Sequence, residues 1–190
     1  IGTGCTIGSS TANVLEFSVD GAVNAKLNNY GAFIVGDGVA GEAWGNAYKT
    51  VQAGTGAFGG NAPAANAASY WTANAYYDDV NSRWEYIAAD EASRLEQGNG
   101  ALAYYNAGSG SADGAITWSE RLRVTAAGEL LLGTSTPQGN ANANDLVVST
   151  SGNSGITIRS GTSNSGNIFF ADGTSGGDEY RGWVTYNHST

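Results

Sequence analysis

Apolar residues in this chain recur with a period of two, in short runs that each end at Gly, Asn or Asp. That spacing sends successive side chains to opposite faces of a strand and leaves no continuous helical stripe. The run Val14-Leu15-Glu16-Phe17-Ser18-Val19 alternates and then meets Asp20-Gly21, a strong hairpin signal. Ala22 to Leu27 reads as a second strand, turned at Asn28-Asn29-Tyr30-Gly31, and Phe33 to Val35 as a third, closed by Gly36-Asp37-Gly38. From Val39 to Ala68 the pattern predicts loops, with short strands carrying Trp44, Tyr48 and Phe58. In Glu120-Arg121-Leu122-Arg123-Val124 the apolar pair points one way and the two arginines the other. After a turn at Gly128, Leu130 and Leu132 resume the apolar side. A strand–turn–strand layout thus recurs at Val14–Leu27, Leu122–Leu132 and Ile156–Phe170, too irregular in spacing to define a solenoid. Ala88 to Gln97, closed by Gly98, holds good helix formers, but a strand with a polar turn fits it equally well.

Strands must bury something, and here there is little to bury. Leu, Ile, Val and Phe number 33 of 190 residues, while Gly and Ala number 29 each. Aliphatic content that low borders on disorder. The 10 Tyr and 5 Trp argue for a folded chain instead. Thin sheets of this kind cannot close a monomeric sandwich around a full core. Three copies facing a common axis can, because each supplies a third of the interior and Gly and Ala permit close approach. The expectation is an all-β fold, an elongated intertwined homotrimer of short strands and Gly-rich turns with small β-sandwich or β-prism-like parts. A compositional shift near Ala68 suggests three regions: an N-terminal β shaft or small β domain (1–68), an aromatic-rich β domain (69–136) and a C-terminal β repeat module (137–190).

Charge and special residues exclude several classes. With 17 acidic and 8 basic residues the formal charge is -9, so nucleic acid is repelled overall. No run of 18 apolar residues is present, which argues against membrane insertion. Ile1 reads as the start of a processed or excised fragment. Cys5 is the single cysteine and His188 the single histidine, so neither an intrachain disulfide nor a Cys- or His-rich metal site is expected, and no cofactor motif occurs. Asp78 and Asp79 are adjacent and would face opposite sides of a strand, poor geometry for a paired general acid and base. They read as turn carboxylates, as do Asp37, Asp90, Glu91, Asp172, Asp178 and Glu179. Ser189 beside His188 lacks a carboxylate partner or an oxyanion nest in the sequence around it. Arg121 and Arg123 are expected to face solvent or to form interchain salt bridges with acids such as Glu120 or Glu129, the sharper alternative being contact with a sugar acid or a phosphate. No catalytic residue is proposed.

The aromatics exceed what a thin core requires. Trp44, Tyr48, Trp71, Tyr76, Tyr77, Trp84, Tyr86, Tyr104, Tyr105 and Trp118 are structural packing or, for an exposed subset, rings on which sugars stack their C–H faces. The ligand-binding candidates are Trp44, Trp71, Tyr76, Tyr77, Trp84, Tyr86, Tyr104, Tyr105 and Trp118.

From Ala75 onwards the chain resembles a known class of protein. Ala75-Tyr76-Tyr77-Asp78-Asp79-Val80-Asn81-Ser82-Arg83-Trp84-Glu85-Tyr86-Ile87 resembles a segment of tail fibres of tailed bacteriophages and prophages. So do Tyr104 to Ala107, Gly114 to Val124, Gly128 to Pro137, Gly166 to Gly173 and Tyr180 to Thr190, whereas the first 70 residues match only in style. The resemblance implies a shaft or receptor-binding region of a homotrimeric fibre in the virion. Many such fibres carry a C-terminal intramolecular chaperone, which nothing in this chain resembles. The implied function is attachment to a bacterial surface polysaccharide or lipopolysaccharide, with other tail proteins as further partners. The alternatives are a tailspike that degrades the polysaccharide and a structural spacer that binds nothing.

Overall fold

The computed structural model describes residues 5–8, 14–19, 22–27, 32–35, 44, 48–61, 67–138 and 140–187. The expected turns at Asp20-Gly21, Asn28–Gly31 and Gly36–Gly38 lie outside these residues, as do His188 and Ser189. The fold is all-β, as the alternation predicts, with one short 3-10 turn at Gly176–Tyr180. The chain divides into two compact units, Ile1–Ser151 and Gly152–Thr190.

The first unit is built on one sheet whose strand order follows the chain. Its strands are β1 (Cys5–Gly8), β2 (Leu15–Val19), β3 (Ala22–Leu27), β4 (Phe33–Val35), β5 (Tyr48–Ala53), β6 (Gly56–Asn61) and β7 (Ala68–Ala73). An excursion, β8 (Tyr76–Asp78) and β9 (Arg83–Glu85), forms a separate hairpin. The sheet resumes with β10 (Ala92–Gly98), β11 (Ala101–Ala107), β12 (Ser119–Val124), β13 (Leu130–Leu132) and β14 (Leu146–Val148). Neighbours are antiparallel except β4–β5 and β13–β14, which are parallel. Two expected strands, Ala22–Leu27 and Phe33–Val35, match β3 and β4 in full. Ala92 to Gly98 takes the strand alternative over the helix, because both of its edges are occupied, by β7 and β11.

Turn chemistry explains the connections. Asn99 and Gly100 both adopt positive φ between β10 and β11, the two-residue arrangement that matches strand twist. Asp78 closes the β8–β9 hairpin, accepting from the backbone N–H groups of Val80 (3.3 Å) and Asn81 (2.7 Å), as expected of a turn carboxylate. Asn74, at φ 55°, anchors both ends of the excursion. Its Oδ1 accepts from the Ala88 N–H (2.7 Å) and its Nδ2 donates to the carbonyls of Ala88 and Glu91 (3.0 Å each).

One face of the sheet is buried by the chain's own residues. Ile34, Gln52, Ala57, Thr72 and Arg94 form a paired row across β4, β5, β6, β7 and β10, and all five are buried. Trp44, Tyr48, Tyr76 and the β8–β9 rings pack on this face. The small side chains of Ala57, Ala92, Ala103 and Ala107 on this face leave depth for the large rings, which gives the high alanine content a use.

The second unit holds β15 (Ser165–Phe170) paired antiparallel with β16 (Gly182–Asn187). The strand expected at Ile156–Ile158 is corrected here: this stretch is unpaired and exposed, and β15 takes β16 as its partner. Asp172 and Asp178 lie in the connection between them. The backbone carbonyl of Asp178 accepts from the N–H groups of Asp172 and Gly173, and Arg181 pairs with the Asp178 carboxylate.

Candidate functional site

The aromatic residues assemble on the covered face of the first unit. Trp84, on β9, meets Trp44, Tyr48, Tyr70, Tyr77 and Trp118 at centroid distances from 5.3 to 6.2 Å, all close to edge-on. Tyr48 and Tyr77 stack at 4.7 Å. Edge-to-face packing suits the ring quadrupoles and adds about 0.5–1.5 kcal/mol per pair beyond area burial. Trp44 is 1% exposed, and its indole N–H donates to Gln52 Oε1 at 2.8 Å.

A cation sits among these rings. The Arg94 guanidinium lies 4.5 Å from the Tyr105 ring, 4.9 Å from Trp118, 5.0 Å from Trp84 and 5.5 Å from Tyr70. It pairs with Glu96 at 2.9 Å. A planar, weakly hydrated cation is suited to such stacking. Arg94 Nε and Trp118 Nε1 are buried without an acceptor among the described residues.

At the edge of this cluster Arg123 makes a bidentate pair with Glu120, at 2.8 and 2.6 Å, and donates to the Tyr105 hydroxyl at 3.1 Å. The Glu120 hydrogen bonds hold the Arg123 guanidinium more firmly charged than usual. Burial raises the Tyr105 hydroxyl above the ordinary phenol range, followed by its interaction with Glu120. Burial likewise raises Tyr48, with Tyr70 and Tyr77 adding to it, and raises Tyr70, with Glu96 adding. The two arginines of this strand do not share surroundings. Arg121 is the extra residue of a one-residue bulge opposite Tyr104 and Tyr105, and it turns to Asn106 Oδ1 (2.8 Å) instead.

Two carboxylates also meet near the hairpin. Tyr76 Oη lies 2.7 Å from Glu85 Oε2 and 3.1 Å from Asp113 Oδ1. Glu85 is buried, and its other oxygen accepts from Asn81 Nδ2 (2.9 Å) and Arg83 Nε (2.8 Å). These bonds commit Glu85 to holding the hairpin.

The opposite face of the sheet is apolar and open. Its central row pairs Leu15 with Leu27, Leu27 with Phe33, Phe33 with Val51, Val51 with Phe58 and Phe58 with Trp71. The row goes on through Leu95, Tyr104, Leu122 and Leu132 to Val148. Trp71 is 66% exposed and Phe58 59%. No charged residue interrupts this row. Beside it Phe33, Lys49, Val51, Phe58 and the glycines of β6 line an open groove of about 380 Å³.

The nine predicted ring residues therefore fall into three groups. Trp44, Tyr76 and Tyr86 are buried by the chain itself. Tyr77, Trp84, Tyr105 and Trp118 are half-buried around Arg94 and the hairpin. Trp71 and Tyr104 stand exposed on the opposite face. Arg94, Glu85 and Gln52 escaped the reading of the sequence. The Arg94–Glu96 spacing of two, which puts both on one side of a strand, was the available signal. Among the described residues no cluster of His, Cys, Asp or Glu is placed to hold a metal, and no helix is long and apolar enough to cross a membrane. Compared with known protein families, curated proteins and solved structures, the chain matches none.

Proposed function

We propose that this chain is a segment of a phage or prophage tail fibre, a β-structured homotrimer that attaches the virion to a bacterial surface polysaccharide or lipopolysaccharide. The carrying observation is the open apolar row from Leu15 to Val148. A charge-free strip of this length on a sheet face marks an association surface. Three copies facing an axis bury it and supply the aliphatic core that one chain lacks. Glycan contact then falls to the other face, where Tyr105 and Trp118 flank Arg94 beside the Glu120–Arg123 pair. Half-buried rings next to fixed hydrogen-bonding groups suit a sugar. Repetition in three copies strengthens a weak single-site affinity.

Light scattering after gel filtration is expected to give about three times the 19.4 kDa chain mass. Trp71→Asp and Phe58→Asp are expected to lower it to that of one chain, and a monomeric parent protein would sink the reading. Fluorescently labelled protein is expected to bind host cells and to be displaced by isolated lipopolysaccharide or capsule. Tyr105→Ala is expected to reduce that binding at least about tenfold with the mass unchanged. The burial of Trp44, Tyr76 and Tyr86 favours a second reading, a spacer that binds no sugar. A trimer that ignores cells and glycans while the full-length fibre binds them would support it.

A further inference from the structure

The second unit presents a different problem from the sheet. No residue described in 152–187 is buried, yet β15 and β16 carry Ile168, Phe169, Phe170, Trp183, Val184 and Tyr186. One face of the hairpin is apolar throughout, and the other sets two large rings among Ser165, Asn167, Thr185 and Asn187. Pairing puts Phe169 beside Trp183 on one face, and Ile168 beside Val184, flanked by Phe170 and Tyr186, on the other. Trp183 is 59% exposed and Tyr186 67%. A two-stranded hairpin in water is marginal without cover, and this one exposes large apolar side chains on each face. The Thr185 hydroxyl and the Asn167 side chain link the two strands on the Phe169 face.

Three features say what the cover is. The exposed side chains of this unit amount to about 1,000 Å² of apolar surface, comparable to one partner's share of a stable interface. The twelve residues of the two strands include no charge, in a chain of formal charge -9, so nothing on them selects a charged partner. In a closed ring each copy has two neighbours, so the Ile168 face can meet one and the Phe169–Trp183 pair the other. Along either strand the Ile168 face reads small, branched, aromatic: Gly166, Ile168, Phe170 on β15 and Gly182, Val184, Tyr186 on β16. A second copy thus meets the same pattern whichever way its strand runs. A groove of about 160 Å³, bordered by Ile158, Ile168, Val184 and Tyr186, has room for one large side chain.

We propose that the β15–β16 hairpin is an interchain association element, its Ile168 face and its Phe169–Trp183 pair each covered by the same hairpin of a neighbouring copy. This inference rests on the reading of the chain as self-associating, but it is carried by different residues from those of the sheet face. Hydrogen exchange of the whole chain, followed by mass spectrometry at high and low protein concentration, tests it. In the assembled protein the amides of 165–170 and 182–187 are expected to exchange at least about tenfold more slowly than in the dissociated chain. Phe169→Ser with Trp183→Ser is expected to abolish that protection while the β10–β11 amides stay protected. An assembled protein whose hairpin amides exchange freely overturns the inference and leaves the sheet-face assembly intact. Protection that persists in a monomer also overturns it, because the chain then covers its own hairpin. A protein that is monomeric at every concentration overturns both.

Discussion

At the scale of single residues, the chain places polar groups where rings surround them. Arg94 replaces aliphatic packing with contacts to four aromatic faces, and the same crowding keeps nearby phenols neutral. Tyr48, Tyr70 and Tyr105 are raised, by burial first of all, above their unfolded value near 10. A phenol whose folded pKa is raised contributes stability that is present in full below its unfolded pKa. That contribution is lost as pH rises past 10, because the unfolded chain ionises first. Absorbance at 295 nm is therefore expected to show a set of tyrosines that ionise only as circular dichroism reports unfolding. Full titration of all 10 tyrosines while the sheet persists would contradict this burial. Sequence could count these rings but not sort them. Tyr76 and Tyr77 are adjacent, and only the hairpin's position makes the first buried and the second half-buried.

At the scale of elements, the β8–β9 hairpin is the lid of the aromatic core, and Asn74 is its hinge pin. Replacing Asn74 with Ala leaves the Ala88 N–H and C=O and the Glu91 C=O without their partner and keeps a non-Gly residue at φ 55°. The expected loss is about 2–4 kcal/mol, from several unmade hydrogen bonds and backbone strain, read from thermal or urea unfolding. A loss below about 0.5 kcal/mol would show that the excursion is held by its rings alone. Strand identity was legible where alternation was clean, as in β3 and β4. It was ambiguous at Ala92 to Gly98, whose Ala, Glu, Leu and Gln favour helix locally and become strand through pairing on both edges. The bulge at Arg121 left no mark in the pattern, so the sequence put Arg121 and Arg123 together. The pairing of β15 with β16 was hidden for a related reason: Ile156–Ile158 is closer in sequence and equally apolar, but a longer connection through the 3-10 turn supplies the partner.

At the scale of the whole molecule, the proposed assembly couples folding to association. Cover for the open row and for the hairpin then depends on concentration, and stability follows by mass action. Thermal midpoints are expected to rise by about 2–5 °C for each tenfold increase in protein concentration. A midpoint independent of concentration would indicate that neither surface is buried between copies in the unfolding transition. The order of the sheet has a mechanical consequence as well. Because each strand from β1 to β7 and from β10 to β14 lies beside its neighbour in sequence, tension applied to the ends of the first unit opens it from an edge. The strands peel away one after another, and their hydrogen bonds break in succession instead of together. Such a sheet is a poor rope on its own. In the proposed fibre, a load between particle and cell would have to pass sideways, into the packing between chains.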